Sequence, residues 1–379
     1  MKRIVTISFI LAIVGSIISQ LPDITHSDLG SFLKSLWLIP FVLLLFNKPL
    51  EYIDKSLSPL FYLLFSFGVY CVILDTFSSH YYLGRDVYNI FVSFSISLVS
   101  YKFWKAFGSK EQLKYISLAL LLSGFIFSYL IYRDFLDEYD FMKRLYAYNG
   151  KNATSLVVLC SSFIPLIILR FKNKIYYIPV LLCSFFMLYV VFLMKSRATY
   201  IGFFFLVYYF IFRMNNKYIK RITILLTIIA IVWIFSSPRL YHIIVDGALL
   251  ASRDVEDFND VTSGRIYLIG ECWELFKQNV WFGNGTMYMD CMPVVMLAQY
   301  GIIGAFFVFS FLIVIATKVL SLPQNNPVFL VTFLLFCIFM LNSLFEAQPP
   351  FGPGVKCFLL WMFMGFSFVE KRKNSNYHI

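Results

Sequence analysis

The chain has 379 residues, of which 60% are hydrophobic and only 14% charged, with a mean hydropathy of +0.75; a soluble domain carries about 25% charged residues. That excludes an ordinary soluble domain, and long apolar runs without strand-like alternation exclude an outer-membrane barrel, which leaves an all-α polytopic membrane protein. The net charge of +11 would suggest nucleic acid in a soluble protein, but here the basic residues fall between apolar runs, where they set topology, and no nucleic-acid partner is expected.

Lys2 and Arg3 precede the apolar run Ile4 to Ser19, which has the outline of a signal peptide but no small-x-small cleavage site. It is predicted to be the first transmembrane helix, with the N-terminus in the cytoplasm. Further spans are expected near 32–46, 59–75, 87–101, 116–131, 153–169, 175–194, 199–212, 222–235, 292–317, 328–344 and 355–369. The expectation is therefore a single membrane domain over 1–379 with about twelve helices, a second outer loop at 132–152 and one large outer loop at 237–291.

The basic residues fit this topology. Predicted cytoplasmic segments hold 19 of the 32 Lys and Arg and outer segments 11, while Lys34 and Lys356 lie inside spans. The inner segments use 14 Lys and 5 Arg, the outer ones 4 Lys and 7 Arg: Arg85, Arg133, Arg144, Arg197, Arg239, Arg253 and Arg265. Lysine suffices as a topological point charge, whereas the guanidinium fork grips phosphate or carboxylate at two points. The outer face is thus expected to hold an anion.

Three outer segments carry candidate chemistry. Tyr132 to Asn152 is rich in charge and ends in Tyr148-Asn149-Gly150-Lys151-Asn152, a turn that sets Lys151 and Asn152 at the mouth of the next span. Lys195-Ser196-Arg197-Ala198 closes a hairpin between two spans; its two cations either snorkel to the interface or hold Arg197 at the depth of a lipid phosphate. The stretch Pro238 to Asp290 is the longest one too polar for hydrocarbon. Its second half reads as a helix capped by Thr262 and Ser263, with Ile266, Ile269, Cys272, Trp273 and Phe276 on a face expected to lie on the bilayer and Glu271, Glu274 and Gln278 on another. Gly283-Asn284-Gly285 is a turn, and Asp290 precedes an apolar run with Gly301-Ile302-Ile303-Gly304, read as a close-packing pair of glycines. A carboxylate at the lip of a span must face water or a partner, and Arg265 and Arg197 are the partners available to Asp290.

Seven cysteines and four histidines show no metal-ligand spacing, so no metal centre and no cofactor is expected. Cys272 and Cys291 share the large loop and would be able to pair on an oxidising side.

The order of these features resembles the O-antigen polymerase and O-antigen ligase superfamily: the Asn149-Gly150-Lys151-Asn152 turn before a span, the Ser196-Arg197-Ala198 hairpin, Ser263-Gly264-Arg265, Trp281-Phe282-Gly283-Asn284-Gly285, Asp290, and Tyr300 to Gly304. The resemblance covers about Tyr148 to Phe309. Counting back from Gly301, Asp290 stands where ligases of the superfamily carry a histidine and many polymerases an aspartate; Arg253 and Gly264 resemble the Arg-x10-Gly spacing of polymerase outer loops. Two positions depart from the pattern, Cys291 for an asparagine and Gln299 for an acidic residue. The resemblance implies an all-helical fold akin to the GT-C glycosyltransferases in the bacterial inner membrane, acting at the outer face on a polyprenyl-diphosphate-linked glycan among membrane lipids, alongside a chain-length regulator and a flippase. The implied activity is polymerisation of lipid-linked repeat units; a ligase or a lipid-linked sugar transporter is the alternative. Arg197, Arg265 and Asp290 are the expected catalytic residues, with Arg239, Arg253, Arg144, Lys151, Asn152 and Glu271 on the substrate.

The topology predicts that Asp257 faces the exterior while Asn215 and Asn325 face the cytoplasm. Single cysteines at the three positions, treated in intact spheroplasts with a membrane-impermeant thiol reagent, should label only at 257; labelling at 215 or 325 sinks the twelve-span arrangement.

Overall fold

The computed structural model describes residues 2–46, 57–137, 140–142, 148, 150–169, 174–213, 217–250, 264–287, 289–346, 350–351 and 355–375. Among the described residues every regular element is helical: α1 (Lys2–Ile18), α2 (Pro22–Thr25), α3 (Asp28–Ser35), α4 (Leu38–Leu45), α5 (Ser58–Phe77), α6 (Arg85–Phe107), α7 (Lys110–Ile131), α8 (Lys151–Ile168), α9 (Tyr177–Leu193), α10 (Arg197–Arg213), α11 (Lys217–Ser236), α12 (Pro238–Tyr241), α13 (Arg265–Gln278), α14 (Met292–Leu320), α15 (Pro327–Ser343) and α16 (Val355–Ser375). Each predicted span but the second coincides with a single helix. Six segments among the described residues are long and apolar enough to cross a membrane, with 28–45 counted as one, and a seventh if the bent pair of 220–236 and 238–249 is a single span. The second span starts at Asp28 rather than Phe32 and is interrupted between α3 and α4.

The bundle is organised around α16. Its residues from Cys357 to Phe366 are almost wholly inaccessible, the signature of a helix apolar on all sides and enclosed by others. It packs most closely on α6, where Ser93, Ser97 and Ser100 are buried and a side chain at Gly365 would lie 2.3 Å from the Ser97 carbonyl. Small residues let two backbones meet where lipid offers no hydrophobic drive. At the other extreme, α11 exposes Ile228, Ile229, Val232 and Trp233. Polar contacts between distant segments join pairs predicted to lie on one side: Thr286 with Tyr81 and Asn152 with Ser196 outside, Arg213 with Gln324 inside.

The apolar run after Asp290 is a broken helix. Gly301 has φ 63° and ψ −173°, so α14 divides there. In a continuous helix the carbonyls of Ala298, Gln299 and Tyr300 would accept from residues four ahead. Here Asn284 N–H donates to Ala298 O at 2.9 Å, Gly285 N–H to Gln299 O at 3.0 Å, and the Tyr70 hydroxyl to Tyr300 O at 2.7 Å. On the other side of the break, Ile302 N–H donates to Val280 O at 2.9 Å and Ile303 N–H to Trp281 O at 3.4 Å. The Trp281 to Gly285 turn therefore inserts into the break and satisfies the freed backbone groups, the condition for broken helices at membrane depth. Gly283 and Gly301 are required by this contact: a side chain at either would lie 2.3 Å from backbone atoms of the other strand of the junction. The pair Gly301 and Gly304 thus marks a helix break, not simply close packing of intact helices.

Gly301→Ala should unfold this junction, since its φ and ψ lie in a region open essentially to glycine and cost about 1–3 kcal/mol before the clash with Trp281 is counted. Gly270→Ala is the control, in mid-helix with nothing within 4 Å of the new methyl. Thermal unfolding of the purified proteins should show a large loss for the first and none for the second; equal stability of the two means the junction is not a constraint.

Candidate functional site

The junction fixes both ends of the segment that carries the candidate residues. From the turn the chain runs back into α13, which packs on the first half of α14 through Cys272, buried against Val295 and Ala298. This corrects the expectation of a helix lying flat on its whole apolar face: Cys272 and Phe276 turn to α14, while Ile266 and Trp273 are 44% and 45% exposed. The small surface of Val295 and Ala298 is what draws Cys272 inward. Gly264, in a left-handed conformation, directly precedes α13; Thr262 and Ser263 lie outside the described residues. Cys272 and Cys291 are both free thiols, and burial pushes Cys272 up to about 11 and Cys291 in the same direction, so neither is a ready nucleophile.

Arg265 opens α13 and reaches two carboxylates. Its Nε donates to Asp290 Oδ2 at 3.1 Å and its terminal nitrogen to Glu346 Oε1 at 3.3 Å, with all three side chains three-quarters buried or more. Glu346 Oε1 also accepts from Asn152 Nδ2 at 2.6 Å, and its backbone carbonyl accepts from Met292 N–H at 3.1 Å. Asn152 Oδ1 in turn accepts from the Ser196 hydroxyl at 2.9 Å, and Thr199 joins Ser196 to Ser155 at 2.9 and 2.7 Å. One hydrogen-bonded chain therefore runs from Asp290 through Arg265, Glu346 and Asn152 into the hairpin between α9 and α10.

Of the expected site residues, Arg265, Asp290 and Asn152 meet in this cluster. Lys151 flanks it, donating to the Lys195 carbonyl at 3.1 Å, and Arg197 begins α10 next to Ser196, half-buried. Arg239 is exposed on α12, and Glu271 hydrogen-bonds Tyr267 of its own helix, raising that phenol's pKa. Arg253 and Arg144 lie outside the described residues. Glu346 was not anticipated. The signal was present in the sequence, since it is the sole acidic residue between Cys291 and Val369, but its meaning depends on where α15 ends.

For Lys195 the hairpin excludes one of the two readings left open for its cations. Lys195 does not snorkel: its side chain is 1% exposed, its ammonium donates to the Phe141 carbonyl and lies 4.4 Å above the Phe141 ring, and its φ is 51°. It ties the hairpin to Phe141 in the segment between α7 and α8. Burial pushes its pKa from the ordinary 10.5 down to about 8, against an opposing pull from Asp140. Beside it, an apolar groove of about 410 Å³ is lined by Phe185, Phe192, Tyr200, Phe204, Ile244 and Leu249. Phe192 stacks on Phe141 at 5.4 Å, so the groove and the ammonium share one aromatic wall.

Set against known proteins, residues 182–292 match the family model Wzy_C, described as O-Antigen ligase. No curated protein matches the chain. The matched segment contains the hairpin, the groove-lining residues, α13, the turn and Asp290.

Because the Lys195 pKa is depressed on folding, the unfolded chain binds the extra proton between about pH 8 and 10.5, and stability rises with pH across that window. Thermal unfolding followed from pH 7 to 10.5 should show this rise in the wild type and its loss in Lys195→Met; parallel curves for the two proteins contradict a buried, pKa-shifted ammonium.

Proposed function

We propose that the protein, whose residues 182–292 match a family model described as O-Antigen ligase, is a member of the O-antigen polymerase and ligase superfamily that polymerises polyprenyl-diphosphate-linked oligosaccharide repeat units at the outer face of the bacterial inner membrane. The observation that carries this reading is Asp290. It is seated on Arg265 inside a largely buried polar cluster, and the resemblance sets it at the position where ligases carry a histidine. Transfer of a glycan from a lipid diphosphate needs two things: charge stabilisation for the departing diphosphate and an acceptor for the proton of the attacking hydroxyl. Arg265, with Arg197 and Lys151 nearby, supplies fixed cations for the first without a metal. Asp290 supplies a carboxylate for the second.

The apolar groove beside the hairpin supports a lipid-linked donor. Its lining is apolar, and its Phe192 stacks on the Phe141 ring over which the Lys195 ammonium lies, so a prenyl tail lying in it would bring its diphosphate toward the cations of the hairpin. A flippase that delivers donors to this face and a regulator of chain length are the protein partners this role calls for.

The ligase reading is kept because the matching family description names that activity. Transfer of finished glycan to a lipid or protein acceptor would use the same leaving group and the same cations. Glycan profiling of a deletion strain separates the two. Single repeat units on the acceptor are expected; complete absence of glycan from it would favour a ligase or a flippase. Complementation with Arg265→Lys or Arg197→Lys should leave mostly single units, with turnover reduced roughly 10²–10³-fold, because a point charge does not reproduce a two-pronged contact. Normal polymer from both variants at equal protein level removes them from the site.

A further inference from the structure

Arg265 is bound by two carboxylates that are held very unequally. Glu346 is 13% exposed in its side chain, and Asn152 donates to the same oxygen that Arg265 contacts. Asn152 is itself fixed by Ser196, and the Glu346 backbone carbonyl is held by Met292 N–H. Four segments of chain thus locate this carboxylate. Asp290 is 24% exposed, and Arg265 is its one hydrogen-bond partner among the described residues. With both acids ionised the trio carries one more negative than positive charge, and a diphosphate cannot approach Arg265 favourably while both remain on it.

Resting on the lipid-diphosphate reading above, we propose that the two carboxylates have different tasks: Glu346 is the positioning residue that anchors Arg265, whereas Asp290 is exchanged off the guanidinium by a phosphate of the donor and is thereby freed to act as the base. The exchange replaces one charge-assisted contact on Nε with another, so it costs little, while the contact to Glu346 keeps the fork aimed. In the transfer step the acceptor hydroxyl oxygen forms a bond to the anomeric carbon, and the bond from that carbon to the diphosphate oxygen breaks. The electron pair leaves with the lipid diphosphate onto Arg265. The hydroxyl proton passes to the Asp290 carboxylate and from there to water. Ion pair and base are therefore one residue at two stages. Before the donor binds, the base is stored on the arginine that will receive the leaving group.

Binding of geranylgeranyl diphosphate and of inorganic diphosphate to the full-length protein in detergent, read by thermophoresis alongside thermal unfolding, tests the proposal through effects of opposite sign. Asp290→Ala removes a competitor and should bind the lipid diphosphate about tenfold tighter than the wild type while forming no polymer. Glu346→Gln releases the anchor and should bind about tenfold weaker, with thermal unfolding unchanged and affinity restored in Glu346→Asp. Weaker binding by Asp290→Ala, or unchanged binding by Glu346→Gln, overturns the division of labour. If Asp290→Ala is not monodisperse, Asp290→Asn takes its place, and affinity below wild type overturns the exchange equally. Tight binding of inorganic diphosphate with no gain from the prenyl chain points to a free phosphate ligand. A wild-type protein that binds neither probe sinks the donor reading, and the exchange with it, whereas wild-type binding with the wrong signs in the variants sinks the exchange alone.

Discussion

The structure depends on how the main-chain groups freed at Gly301 are satisfied. A helix broken in apolar surroundings leaves carbonyls and N–H groups that water does not reach, and each unsatisfied one costs several kcal/mol. The turn from Val280 to Gly285 meets that demand with four main-chain bonds, and the Tyr70 hydroxyl adds a fifth. Because turn and break satisfy each other, the segment from α13 to Asp290 is tethered there to the bundle. Everything from α13 to Asp290 is positioned relative to α14 by that tether. Tyr82 extends it by donating to Gly283 O at 2.8 Å, which brings in the segment before α6.

On this frame a small number of polar groups concentrate the electrostatics. Arg265 has no access to the site's geometry through propensity or hydrophobic pattern. It is placed by the start of α13, and its fork is held by acids from two other segments. Partly buried charges persist where their partners are hydrogen-bonded in turn, and here Asn152, Ser196 and Thr199 extend the satisfaction outward into the hairpin. The result couples the hairpin that carries Arg197 to the loop that carries Arg265, so a change in either is felt by both. Lys195 performs the corresponding task on the other side of the hairpin, toward Phe141 and the apolar groove.

Composition alone determined that the chain is helical and membrane-spanning, since only helices satisfy backbone groups within runs so long and so uniformly apolar. The distribution of Lys and Arg gives an expected topology, and three polar contacts between distant segments join residues that it puts on one side. The resemblance located Arg265, Asp290 and Asn152, which do meet. What the sequence did not reveal was long-range and polar. Glu346 belongs to no motif in the sequence, and its importance comes from three partners between about 50 and 200 residues away in sequence. Lys195 reads as a snorkelling cation because a lysine between two apolar runs ordinarily reaches for water; it is buried because the carbonyl and ring of Phe141 come to it from another loop. The two glycines of the Gly-Ile-Ile-Gly run read as packing residues because a local pattern carries no information about what will fill a break. Periodicity and charge bias are properties of neighbours in sequence and are legible there, whereas a hydrogen-bonded site is a property of neighbours in space, and only the folded chain decides which those are.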